Sequence, residues 1–386
     1  MLTLLMSDDV TAVKEAVDAT SGLVRAHAAE IDQTRRLPDS VVSALRRTGI
    51  NRMFLPTVLG GRQAPVVDVM DMVEGIAAVD GSTAWCTVIG AGSNVFAGYM
   101  AEAGARQVFT DPDQGNATML APIGTLVADG HRGRLSGRWP FTSNCLHSAW
   151  IGLGSRVHRG DGVDPIPRMA FVPAGNLTIE DTWDVVGLRG TGSHHVAARG
   201  AVVELDWCCA FSDRPWPEGT LWRLPLYTVL LPALAAVPLG IARGALDEIG
   251  RLAIEGRTAR RGQLADDPIS MAEFATADAR LRGARAALRE SVEEAHHRAE
   301  RGDPVDRPLQ ARVLLASVHA SDASVTATSV AHQLGGGAAT CAANPLLRAL
   351  GDVQASRQHL LFSHKHLGEL AKVLAGLDVD YPPYIM

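Results

Sequence analysis

Four runs of this chain carry the residues best suited to chemistry. Gly137-Arg138-Trp139-Pro140-Phe141-Thr142-Ser143-Asn144-Cys145 sets two hydroxyls at the end of a presumed strand edge, beside two aromatics. Trp139 and Phe141, at i and i+2, share one sheet face, where such a pair by itself means core packing. Trp183 to His195 is a glycine-rich loop that ends in the hydroxyls of Thr191 and Ser193. In Gln333-Leu334-Gly335-Gly336-Gly337 the glycines allow the close backbone approach that a phosphate or a second subunit requires, or simply stop a helix. The fourth run is a polar stripe, Arg348, Asp352, His359 and His366, which falls within about 40° on a helix of 3.6 residues per turn. It reads either as a solvated face with an i,i+4 Arg/Asp pair or as the support for an imidazole that handles protons near neutral pH. A metal site on His359, His364 and His366 is disfavoured, because His364 lies roughly 140° away from the other two.

Other chemistries lack their signatures. The chain has no Walker A motif, no GxGxxG after a strand, no HExxH and no GxSxG, which removes the readings of nucleoside triphosphate, NAD, zinc protease and serine hydrolase sites. The formal net charge of −6 gives no general attraction to polyanions, so nucleic acid is not expected as a partner. Five cysteines without a CxxC pair fit free thiols in a reducing compartment, and the expected location is the cytoplasm.

These residues need elements to hold them. Residues 1–115 read as a helical domain: an Ala-rich amphipathic helix over Val13 to Glu30, a second from Pro38 to Arg47, a third from Pro65 to Val79, then Trp85 to Met100. Residues 116–220 change to β texture, with a hairpin signal at Asp129-Gly130 and further strands at Met169 to Val172, Leu177 to Ile179 and Val196 to Leu205. A small antiparallel barrel or sandwich is expected there. Residues 221–386 read as a bundle of four long helices, at about 224–256, 268–302, 308–333 and 345–375, with Phe274, Leu281, Leu288 and Ala295 repeating every seventh residue. Leu224 to Ala242 carries no charge and is long enough to cross a bilayer, but Pro225, Pro232 and Pro238 would break or kink a lone span; burial inside the bundle is expected, and no membrane.

Taken in order, the motifs resemble the acyl-CoA dehydrogenase superfamily, and within it the group D flavin-dependent monooxygenases. The resemblance spans residues 15 to 375. It rests on Ile50 to Gly61, on Gly81-Ser82-Thr83-Ala84-Trp85, on Gly137 to Ser143, on Gly187-Leu188-Arg189-Gly190-Thr191-Gly192-Ser193, and on Gln333-Leu334-Gly335-Gly336 with Pro345-Leu346-Leu347-Arg348. It implies an α+β fold with a helical domain, a central antiparallel β-barrel and a C-terminal four-helix bundle, assembled as a homotetramer. The glutamate base of the dehydrogenases falls near His359-Leu360 or Ala236-Val237, and neither place holds an acid. An acyl-CoA dehydrogenase-like FAD oxidoreductase with a displaced base is the alternative.

The resemblance implies the oxygenase component of a two-component system. Reduced FMN or FAD from a separate NAD(P)H-dependent flavin reductase would react with O2 to give a C4a-hydroperoxide, which oxygenates a small aromatic or polyketide-like molecule. Ser143 would then sit near flavin N5, and His359 would deprotonate the substrate or hold the peroxide oxygen. Trp139, Phe141, Thr142, Thr191 and Ser193 would line the cofactor. Arg257 would meet its phosphate, and Gln333, Gly335 and Gly336 would reach it across a subunit interface. Trp85, Ser93 and Asn94 would face the substrate. Three departures from relatives stand out: Gly351 replaces the arginine of an Arg-Asp pair, Ser93-Asn94 stands where many aromatic hydroxylases of the branch hold a histidine, and Asn144 replaces a glycine.

Overall fold

The computed structural model describes residues 2–379 except 161, 211, 260, 261 and 378. Six helices come first: α1 (Leu2–Ala19), α2 (Ser21–Thr34), α3 (Asp39–Thr48), α4 (Val66–Ala77), α5 (Gly81–Ser93) and α6 (Glu102–Val108). The helix expected over Val13 to Glu30 is divided at Thr20, whose hydroxyl donates to the Val17 carbonyl (2.7 Å) and competes with the helix ladder. The helix expected from Trp85 begins at Gly81. Asp80 starts it, accepting from the Thr83 amide at 2.7 Å and satisfying a donor that the first turn leaves orphaned.

Eight strands follow: β1 (Ala117–Asp129), β2 (Arg132–Trp139), β3 (Trp150–Arg159), β4 (Gly162–Val163), β5 (Arg168–Pro173), β6 (Thr178–Glu180), β7 (His195–Glu204) and β8 (Cys208–Cys209). The hairpin at Asp129-Gly130 forms, with Asp129 opposite Arg132 and Gly130 at φ 58°. The sheet runs in the order β6-β7-β2-β1-β3-β5-β8, with β4 beside β3.

Two expectations are corrected here: among the described residues the sheet does not close into a barrel, and it is mixed rather than antiparallel, because β1 and β3 run parallel. The reason is topological. β2 turns back along one edge of β1, and residues 140–149 then carry the chain to the other edge, so β3 sets off in the direction of β1. That crossover carries Phe141 to Asn144. One face of the sheet buries Leu126, Leu135, Trp139, Ile151, Leu153, Val157, Val172 and Val196, the alternate residues of their strands.

Five helices follow, α7 (Leu226–Ile254), α8 (Pro268–Arg301), α9 (Arg307–Leu334), α10 (Pro345–Arg357) and α11 (Leu367–Leu374), with a short two-stranded hairpin, Thr258–Ala259 and Gly262–Gln263, between α7 and α8. In α8 the buried residues Ala277, Leu281, Ala284, Leu288, Val292, Ala295 and Ala299 recur at the three- and four-residue steps of a bundle helix. α7 is buried almost throughout, packed on α4, α9 and α10, and it runs through Pro232 and Pro238 where an isolated span was expected to break. Its contact with α4 is backbone-close, since a Cβ on Gly240 would lie 2.3 Å from the Glu74 carbonyl oxygen. That contact fixes the end of α4, and with it the Asp80 turn.

Candidate active site

Two residues in the left-handed region, Phe141 (φ 60°) and Asn144 (φ 64°), make the crossover after β2 tight. Two backbone bonds then join it to the 188–195 loop: the Thr142 amide donates to His194 O (3.0 Å) and the Asn144 amide to Thr191 O (3.2 Å). The loop is itself pinned, because His194 Nδ1 accepts the amides of Thr182 (3.1 Å) and Trp183 (3.2 Å). This zipper brings Ser143 onto Ser193. Their hydroxyls lie 2.7 Å apart, Ser193 lies 2.7 Å from Thr191 Oγ1, and the Trp85 indole N–H donates to Ser143 Oγ at 3.0 Å. All four side chains are buried, with Ser143 the most open at 8% exposure.

His359 reaches the same place from the bundle, but not on a helix. The fourth long helix expected over 345–375 ends at Arg357, so the stripe from Arg348 to His366 is broken. His359 sits in extended backbone (φ −61°, ψ 136°) before a 3-10 turn at Leu360–Phe362. Tertiary contacts hold this break: Arg357 Nε donates to Asp322 Oδ1 (2.6 Å) and Arg357 Nη1 to the Phe362 carbonyl (2.7 Å). The imidazole meets the Trp85 ring edge-on, with centroids 5.6 Å apart. Its Nδ1 accepts the Leu361 amide at 3.4 Å, so in the neutral ring Nε2 carries the proton. Although the residue keeps some exposure, it lies deep enough that desolvation pushes its pKa down to about 4. At neutral pH it is an uncharged donor.

Behind these side chains is a buried carboxyl pair, Asp352 of the polar stripe and Asp80, which no motif marks as its partner. Asp352 is buried on α10, and instead of pairing with Arg348 its Oδ1 accepts the Leu188 amide at 2.6 Å. Burial, and then the nearby Asp80 charge, push its pKa up to about 7. Asp80 caps the helix of Trp85, while Asp352 joins α10 to the 188–195 loop through the Leu188 amide. Asp80-Gly81-Ser82-Thr83 carries an N-cap signature, but nothing local in the sequence pairs it with Asp352. The missing arginine also finds its reason here: a Cβ on Gly351 would lie 2.4 Å from the Val186 carbonyl oxygen, so the 183–190 loop occupies the space.

The remaining expected residues are dispersed. Trp139 is fully buried in the sheet interior, donating to Gly154 O at 2.8 Å, and is not among the residues grouped around Trp85. Thr142 is buried under the crossover, its hydroxyl on Trp139 O. Phe141 is 65% exposed, edge-on to Trp183 at 6.2 Å and to His195 at 5.8 Å, forming an apolar ledge beside Ser143. Ser93 bonds Thr118 Oγ1 at 3.0 Å. The Asn94 amide is committed to the carbonyls of Asn51 and Gln114 and to the Asn116 amide, so it is a structural group. Arg257 is exposed after α7, and Gln333, Gly335 and Gly336 lie at the end of α9, so none of the four joins the Trp85 group.

A reduced isoalloxazine is a fused three-ring system with broad apolar faces and polar edges. The Trp85 group offers an indole, an adjacent aromatic ledge, a hydroxyl acceptor and an imidazole donor, and this set fits it. Comparison with known proteins points the same way. The family models for the acyl-CoA dehydrogenase N-terminal and C-terminal domains match residues 7–108 and 233–364. Indole-3-acetate monooxygenase of Pseudomonas putida is 32% identical over 342 residues, covering 87% of this chain and 86% of that protein. The flavin-dependent monooxygenase oxygenase subunit HsaA of Rhodococcus jostii is 29% identical over 358 residues, covering 89% and 93%. The crystal structure of 3-HSA hydroxylase from Rhodococcus sp. RHA1 superimposes with a TM-score of 0.91 at 25% identity, over 97% of this chain and 99% of that one.

Proposed function

The chain belongs to the flavin-dependent monooxygenase branch of the acyl-CoA dehydrogenase superfamily, and from that premise we propose that it is the oxygenase component of a two-component monooxygenase. Its substrate is a small organic molecule, aromatic or polyketide-like; the relative that acts on indole-3-acetate supports an aromatic one. Bound reduced FMN or FAD supplies the electrons that activate dioxygen. A separate NAD(P)H-dependent flavin reductase delivers it.

The observation that carries this reading is the meeting of Ser143 and His359 at Trp85, from two distant parts of the chain. Ser143 and the hydroxyls behind it hold the cofactor edge. His359 presents Nε2–H to a reacting oxygen. Its lowered pKa and its engaged Nδ1 support this donor role over abstraction of a substrate proton. Phe141 and Trp183 shield the cofactor from water. Trp85 faces the substrate. Arg257, Gln333, Gly335 and Gly336, away from this group within one chain, meet the cofactor only in a homotetramer. The free cysteines support a reducing cytoplasm.

The test mixes protein with reduced FMN or FAD anaerobically, then with air and a panel of phenols and indoles, and follows flavin absorbance and oxygenated product. Product carrying an atom from labelled O2 supports the reading. No product with either flavin, together with reduction of bound FAD by an acyl-CoA, would replace it with the dehydrogenase alternative.

A further inference from the structure

Counting protons along the hydroxyl chain fixes its direction. Thr191 Oγ1 donates to the Leu188 carbonyl at 2.7 Å, which uses its only proton. The 2.7 Å contact with Ser193 therefore takes its proton from Ser193, and the 2.7 Å contact between Ser193 and Ser143 takes its proton from Ser143. Trp85 Nε1, which can only donate, adds its hydrogen to Ser143. Ser143 is left with no free proton and one free lone pair. The chain ends on a backbone carbonyl that cannot donate, and its members are 8% exposed or less, so no solvent proton reverses it without breaking a buried bond.

We infer that Thr191, acting through Ser193, holds Ser143 as a hydrogen-bond acceptor and so gives the site its preference for reduced over oxidised flavin. The inference rests on the reading above, in which the flavin's central ring edge meets Ser143. The reduced ring bears an N–H at that edge. The oxidised ring has a bare nitrogen there, which opposes the lone pair of Ser143. The preference suits an oxygenase that receives reduced flavin from a partner and has to release it once oxidised. Thr191 is a positioning residue here, because its own hydroxyl is spent on Leu188.

The experiment is an anaerobic equilibrium titration of the intact protein with reduced and oxidised FMN and FAD, scored as the ratio of dissociation constants. Wild type binds the reduced form more tightly. Thr191→Val removes the acceptor for Ser193, frees the chain to turn round, and lowers that ratio about tenfold, the worth of one buried hydrogen bond. Thr191→Ser restores the ratio. Ser193→Ala, which cuts the chain beside Ser143, lowers it equally and serves should the valine variant fail to fold. An unchanged ratio in folded Thr191→Val or Ser193→Ala overturns the inference and leaves the function standing. Wild type that binds neither form of either flavin overturns both.

Discussion

Replacing Asp352 with asparagine should stabilise this protein, and do so only toward the alkaline side. Asp352 is 4% exposed, and burial beside Asp80 raises its pKa from 3.8 to about 7. The folded state therefore binds a proton more tightly than the unfolded chain. The carboxyl's contribution to stability falls as pH rises through the window from about 4 to about 7, and the full cost is present above it. A separation of about three units corresponds to about 4 kcal/mol, at roughly 1.4 kcal/mol per unit. Asparagine keeps an oxygen to accept the Leu188 amide, now at 2.6 Å from Asp352 Oδ1, and removes the buried negative charge near Asp80. His359 slopes the opposite way, its depressed pKa making stability rise between about 4 and 6.5, but it is common to both proteins and cancels in the difference. Urea unfolding of both proteins across this range measures that difference. The Asp352→Asn variant should gain about 2–4 kcal/mol above pH 7 and lose the gain in acid. A difference independent of pH, or a variant less stable above pH 7, would refute the reasoning.

Other substitutions separate chemistry from scaffold. His359→Ala should lower product formation about 10²-fold while reduced-flavin affinity holds, with peroxide released instead of product; equal loss of both would make the residue structural. In wild type the acid limb of the rate profile should fall near pH 4, where the imidazole charges and Nδ1 stops accepting the Leu361 amide, and a limb near 6.5 would contradict this. Gly351→Ala should cost about 1–3 kcal/mol by pressing on the Val186 carbonyl, read as a lower urea midpoint. Asn94→Ala should also destabilise, by about 1–3 kcal/mol for its buried partners, and leave substrate preference unchanged; a changed preference would return it to the substrate wall.

The legible parts of the sequence are those set by local pattern. The seven-residue repeat of α8 and the Asp129-Gly130 hairpin announce themselves, since periodicity and turn chemistry act over a few residues. Ser143, Thr191 and Ser193 stand in motifs that point to one another only through the resemblance. The parallel pairing of β1 with β3 is illegible because strand pattern does not name a partner. The end of α10 is illegible because Leu360 and Leu361 continue the apolar spacing, and the break is imposed by Asp322 and the Phe362 carbonyl holding Arg357. The Asp80 and Asp352 pair is illegible for the same reason: the desolvation that makes it matter exists only after the chain has folded.

The central claim is that reduced flavin lies between the Ser143 hydroxyl and the His359 imidazole, against Trp85. The most direct measurement is a crystal structure of the protein prepared anaerobically with reduced FMN or FAD. The ring edge within hydrogen-bonding distance of Ser143 Oγ, and His359 Nε2 facing the ring, is the predicted result. A ring bound elsewhere, or His359 turned away from it, would contradict the account.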